Sequence, residues 1–208
     1  MSRADSVRLH STSTPTAMRG LAGAGGMPRC VGCGAYGRFL CQQCQGMLPL
    51  LTPPFCYLCA QPLPQGDLCR RCLESPLALD GIRAPFLMEG VAREAIHKLK
   101  YQNLRAIAPA LGTYLAEQIK SAAIPGDALV PVPLHPRRER ERGYNQASLL
   151  ARQAGKLLGL PVLDQALMRL RPTPAQARSA SLEQRRHNVE GAFQCRGGVK
   201  GLRIILVD

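Results

Sequence analysis

The chain has 208 residues, 46% of them hydrophobic, and carries a formal net charge of +13. That is enough apolar material for a core, yet no window holds the roughly eighteen uninterrupted apolar residues of a membrane span, and the N-terminus lacks the compact apolar stretch of a secretory signal. Most of the cationic excess lies from Ala128 to Asp208, with 14 Lys or Arg against 6 Asp or Glu, and points to a polyanionic partner, either nucleic acid or a phosphate-rich small molecule.

Residues 1–29 are rich in Ser, Thr, Gly and Arg, show neither helical nor strand periodicity, and read as a disordered leader. Their composition also suits an organellar transit peptide, although no amphipathic stripe supports one; a true start at Met18 or Met27 is the alternative. Residues 30–75 hold eight of the nine cysteines in four C-x-x-C pairs, Cys30/Cys33, Cys41/Cys44, Cys56/Cys59 and Cys69/Cys72. Without an export signal the expected compartment is the reducing cytoplasm, where thiolates hold metal rather than form disulfides. A C-x-x-C turn aims two sulfurs at one ion, and two such turns fill a tetrahedron, so eight thiolates predict up to two structural zinc ions in a double zinc ribbon. Sequential pairing, the first two turns on one ion and the last two on the other, closes the shorter loops; interleaved pairing is the alternative. Gly34 follows Cys33 where a tight turn could offer its N–H to a thiolate.

From residue 80 to 208 the texture changes. Val91, Ala95, Ile96 and Leu99 share one helical face, as do Ile107, Leu111, Leu115 and Ile119. ALVPVPL, from Ala128, reads as a strand that runs into a proline-stiffened loop, followed by Arg137, Arg138, Arg140 and Arg142 ahead of Gly143. A helix is predicted from Asn145 to Leu158 with Gly159 as its stop, then short strands over Leu160–Leu163 and Ala166–Leu170. Ser181 to Gln184 fits a capping box opening a short basic helix. GLRIILVD at the end, apolar on both faces, reads as a central strand of a parallel sheet, with Asp208 at its carboxyl end where α/β folds bind ligands. The alternation of strands and helices predicts an α/β fold. Lys98 reads as a solvated charge, and His187 and Cys195 as structural.

Together the four C-x-x-C pairs, HKLKY, VPVPLH with RERGYNQ, R-x-T-x-A-Q with RHNVEGAF, and ILVD resemble, in order, the ComF/GntX family, over residues 30 to 208. The family joins a double zinc ribbon to a type I phosphoribosyltransferase domain. The resemblance implies that Asp208 is the first of two acids gripping the ribose of phosphoribosyl pyrophosphate. Pro133, Leu134, His135 and Arg137 would meet the pyrophosphate with Mg²⁺, and Arg171, Thr173 and Gln176 would belong to a catalytic loop covering the site. The family's second acid and T-G-x-T turn would follow Asp208, so the domain is expected to be incomplete at its C-terminus and the chain inactive. Two functions follow as expectations. One is a phosphoribosyltransferase homologue of DNA uptake or nucleotide metabolism, with an acceptor the sequence does not name. The other is a non-enzymatic zinc-ribbon protein that binds single-stranded DNA beside competence helicase-type proteins. Few aromatics, 4%, weigh against many stacking platforms in the second.

Overall fold

The computed structural model describes residues 27–75, 78–172 and 187–208. Two short helices, α1 (Gln42–Gly46) and α2 (Arg70–Glu74), each start directly after a cysteine, Cys41 and Cys69, in an otherwise irregular segment. Backbone pairing there begins at Arg29, bridged to Tyr36, one residue before the expected start of the ribbon. There follow α3 (Gly90–Tyr101), a 3₁₀ turn over Arg105–Ile107, α4 (Ala108–Ser121), β1 (Ala128–Pro131), α5 (Pro136–Arg142), α6 (Gln146–Leu158), β2 (Leu167–Arg169), β3 (Phe193–Cys195) and β4 (Ile204–Val207). The fold is α/β with a parallel sheet, as the alternation predicts.

The helices form where the apolar spacing predicts them. α6 is framed by the expected signals: the Asn145 side chain accepts from the Ala147 N–H, and Gly159 closes the helix in a left-handed conformation. α4 and α6 pack against each other, and Gly112 lets them touch. A Cβ there would lie 2.6 Å from that of Gln153. The Arg-bearing segment that follows the rigid loop is the helix α5, started by Pro136 at its first turn and by the His135 side chain, which accepts from the Arg137 N–H.

Pairing between distant segments orders the sheet. β1 pairs in parallel with β4 on one side and, through Leu129, bridges Val162 on the other. β1 is therefore the inner strand, and among the described residues β4 pairs with β1 alone, with Leu206 48% exposed. A strand apolar on both faces says that both faces can be covered; it does not say which strand has two neighbours. Pro131 is tolerated inside because odd-numbered residues of β1 bond toward 161–163, as Leu129 does with Pro161 and Leu163, and that pairing stops before Pro131. β2 and β3 form a separate antiparallel pair. The expected capping box at Ser181–Gln184 lies outside the described residues. Among those residues no helix is long and apolar enough to cross a membrane.

Candidate metal centres and the carboxyl ends of the parallel strands

The eight cysteines converge as two quartets, Cys30, Cys33, Cys41 and Cys44, and Cys56, Cys59, Cys69 and Cys72, with all four sulfurs of each within 4.8 Å of one another. Cys33 and Cys41 Sγ lie 3.6 Å apart, and Cys59 and Cys69 Sγ 3.7 Å. Four sulfurs about 2.3 Å from one ion would stand ~3.8 Å from each other, so both quartets fit structural zinc. The grouping is sequential.

Local backbone prepares each quartet in the same way. Burial works against the Cys30 thiolate, but N–H groups of Cys41, Cys33 and Gly32 turned to its sulfur outweigh that and bring its pKa down to about 6. Cys56 falls to about 6 for the same reason, burial being outweighed by the N–H groups of Cys69, Cys59 and Leu58. Burial, then the crowd of neighbouring thiols, pushes Cys44 and Cys72 up to about 12. A divalent cation reverses that crowding, because a coordinating thiol is deprotonated outright. The N–H of Gly34 donates to the Cys30 carbonyl, 2.9 Å, rather than to a sulfur.

The surroundings of the quartets differ. Cys30, Val31, Leu40, Cys44 and Leu48 belong to the main core together with Ala92, Ala95 and Leu99 of α3 and residues of α4 and α6. Cys56, Cys69 and Cys72 form a separate cluster backed by Leu58, Cys59, Leu63 and Leu68. Lys98 is half-buried and donates to the Val31 carbonyl at 3.4 Å, so it fastens α3 to the first quartet instead of standing free in water.

At the other end of the core, register sets Val207 beside Pro131, and the Val132 N–H donates to the Val207 carbonyl at 2.8 Å, which brings Asp208 next to the start of the Pro133–His135 loop. Leu134 is buried and anchors that loop. Asn145, also buried, holds it from behind: besides capping α6, its Nδ2 donates to the Val132 carbonyl at 3.0 Å. Sequence periodicity marks Asn145 only as a helix start. Its second bond became visible once residues thirteen apart met.

The cations sort differently from expectation. Arg137 sits on the outer surface, paired with Glu141 at 3.0 Å, one helical turn along α5. Arg142 and Arg169 instead lie close enough to Asp208 and to Arg138 to feel their charge. Burial depresses the pKa of both, their mutual neighbour Arg138 depresses it further, and Asp208 opposes this. Arg171 is exposed and donates to the Glu190 carbonyl. Thr173 and Gln176 lie outside the described residues. His187 and Cys195 are exposed.

The double zinc ribbon family model matches residues 27–73. The chain is similar to DNA utilization protein YhgH of Salmonella typhi, 30% identical over 189 residues that cover 81% of this chain and 83% of that protein. It is likewise similar to Competence protein F of Haemophilus influenzae, 30% identical over 161 residues, covering 74% and 69%. Competence protein ComFC of Bacillus subtilis is 30% identical over 120 residues, covering 54% and 50%. No solved structure matches the chain.

Proposed function

Because the chain belongs to the family that contains DNA utilization protein YhgH and Competence protein F, we propose that it serves DNA uptake or utilisation and binds phosphoribosyl pyrophosphate at the carboxyl ends of β1 and β4. The observation that carries the second half is the placement of Asp208 beside the Pro133–His135 loop, with Arg142 and Arg169 close enough to feel its charge. A carboxylate suits ribose hydroxyls, guanidinium groups suit phosphate, and the carboxyl end of a parallel sheet is where such ligands lie. Bound with the donor, Mg²⁺ would neutralise pyrophosphate charge. Asp208 would hold the ribose, His135 and the loop backbone would line the pyrophosphate, and Arg171, Thr173 and Gln176 would close over it. Arg137, committed to Glu141, would contribute least. Zinc thiolates suit a reducing compartment such as the cytoplasm. The double ribbon at 30–75 would be the metal-stabilised module and 80–208 the donor-binding domain.

Calorimetry of the whole chain with donor and Mg²⁺ tests this. The expected result is saturable binding that Asp208→Asn weakens about tenfold, and absence of heat at millimolar donor removes the donor reading. The DNA half is supported by the relatives' names and by the charge of +13. Affinity for single-stranded DNA is expected to fall steeply with salt, because each neutralised phosphate releases counterions; affinity unchanged by salt would count against it.

A further inference from the structure

α3 ends on Tyr101, whose side chain is 57% exposed, beside the junction of α5 and α6. Gly143, at a φ of +79, turns the chain there so that Tyr144 points inward and its hydroxyl donates to the Leu99 carbonyl. Two guanidinium groups stand over this junction. Arg142 lies with Cζ 5.6 Å from the centroid of the Tyr101 ring, and it donates to the Oε1 of Gln146, which is buried. Arg105 covers the Tyr144 ring at 4.6 Å and donates to Asn103 Oδ1 at 3.0 Å. It sits so close over Gly143 that a Cβ there would be 2.6 Å from its Nη2. The four ion pairs among the described residues use Arg70, Arg137, Arg152 and Arg203, so neither Arg105 nor Arg142 has a carboxylate within 4.0 Å there.

A half-buried guanidinium held in place by a neutral amide, with no carboxylate within 4.0 Å among the described residues, is ready for an anion from outside. Phosphate fits its fork of donors. The exposed phenol ring next to it, which the His97 ring meets at a tilt of 46° with centroids 5.0 Å apart, is a surface on which a planar heterocycle can stack, and base–aromatic stacking tolerates any base. We propose that Tyr101, Arg142 and Arg105 form a subsite for one nucleotide unit, with the base against Tyr101 and the phosphate on the two guanidinium groups. The unit comes either from a free nucleotide or from single-stranded DNA. This deepens the DNA half of the proposed function and does not depend on the donor half. Arg142 stands over Tyr101 and also feels the charge of Asp208, so the subsite borders the region proposed for the donor.

The test is fluorescence anisotropy of the whole chain with labelled oligo-deoxythymidine, and displacement by thymidine 5′-monophosphate, both without donor or Mg²⁺. Tyr101→Ala is expected to weaken binding roughly tenfold, while Tyr101→Phe, which keeps the ring, stays within about twofold of the parent. Arg142→Ala is expected to lower affinity and to reduce the slope of log affinity against log salt by about one, a readout that a merely structural role would not move. Displacement of the oligonucleotide by the mononucleotide identifies a free nucleotide as the source. Tyr101-dependent oligonucleotide binding without displacement identifies the strand. Tyr101→Ala leaving oligonucleotide binding unchanged, loss of that binding in Tyr36→Ala instead, or failure of both probes to bind the parent overturns the proposal. Donor calorimetry on Tyr101→Ala is expected to match the parent, so the two readings fail separately.

Discussion

The two cysteine quartets have one sequence pattern and one sulfur geometry, yet they stand in different mechanical positions. The first is set into the core that α3, α4, α6 and β1 share, and Lys98 bonds α3 to it. The second closes over three buried cysteines and a few leucines of its own. Segments this small rarely support a core without metal, so the second quartet depends on zinc for its own fold and passes little of that dependence on. The first has apolar support from elsewhere, and for that reason its loss reaches elsewhere. Identical motifs therefore differ in what they stabilise because of what packs behind them.

The most direct way to break this comparison is to remove one ligand from each quartet. Cys44→Ala is expected to lower the midpoint of the main thermal transition by on the order of 10 °C, whereas Cys72→Ala leaves it within about 2 °C while the zinc content drops by one ion per chain. Calorimetry with metal analysis reads both, and equal midpoint shifts would show that the quartets are mechanically equivalent. In Cys72→Ala, hydrogen exchange should rise between residues 54 and 75 and stay unchanged in α3.

A smaller effect sharpens the route by which the first quartet is coupled. Tyr144→Phe leaves the Leu99 carbonyl at the far end of α3 without its donor, at a cost of about 1 kcal/mol and a midpoint shift of about 3 °C, with both zinc ions retained. Lys98→Ala should cost less, about 0.5 kcal/mol, and should speed zinc release from the first quartet only, followed with a chromogenic chelator. The smallest effect is a control placed away from both metals. The Arg203 side chain, then its backbone N–H, hold the Asp127 carboxyl down at about 2, against an ordinary value of 3.8. A depressed carboxyl contributes stability that is present above about pH 4 and lost as the pH falls through about 2. The pair is partly exposed, so the contribution is modest. Asp127→Asn should flatten the acid limb of a stability curve in that window and leave zinc content at neutral pH unchanged.

Much of this architecture was legible beforehand because its causes are local. Helix periodicity, the Asn145 and Gly159 ends of α6 and the C-x-x-C turns each depend on residues within a few positions, and they appear where expected. Neither the pairing of Arg137 nor the placement of Arg142 was legible. Both lie in one charged run, and only the helix that forms there pairs Arg137 with Glu141 and leaves Arg142 facing Tyr101. The same limit applied to Lys98, whose acceptor, the Val31 carbonyl, is 67 positions away.

The sequence by itself determined the zinc chemistry, the α/β alternation and the family, since each is written in residue types and short spacings. The tertiary structure alone decided that β1 is the inner strand, that one quartet belongs to the main core and its twin does not, and that Arg142 meets the exposed Tyr101 while Arg105 covers the buried Tyr144. These depend on which distant segments pack together. Burial and pairing are properties of neighbours in space, and a repeated motif carries no record of its neighbours.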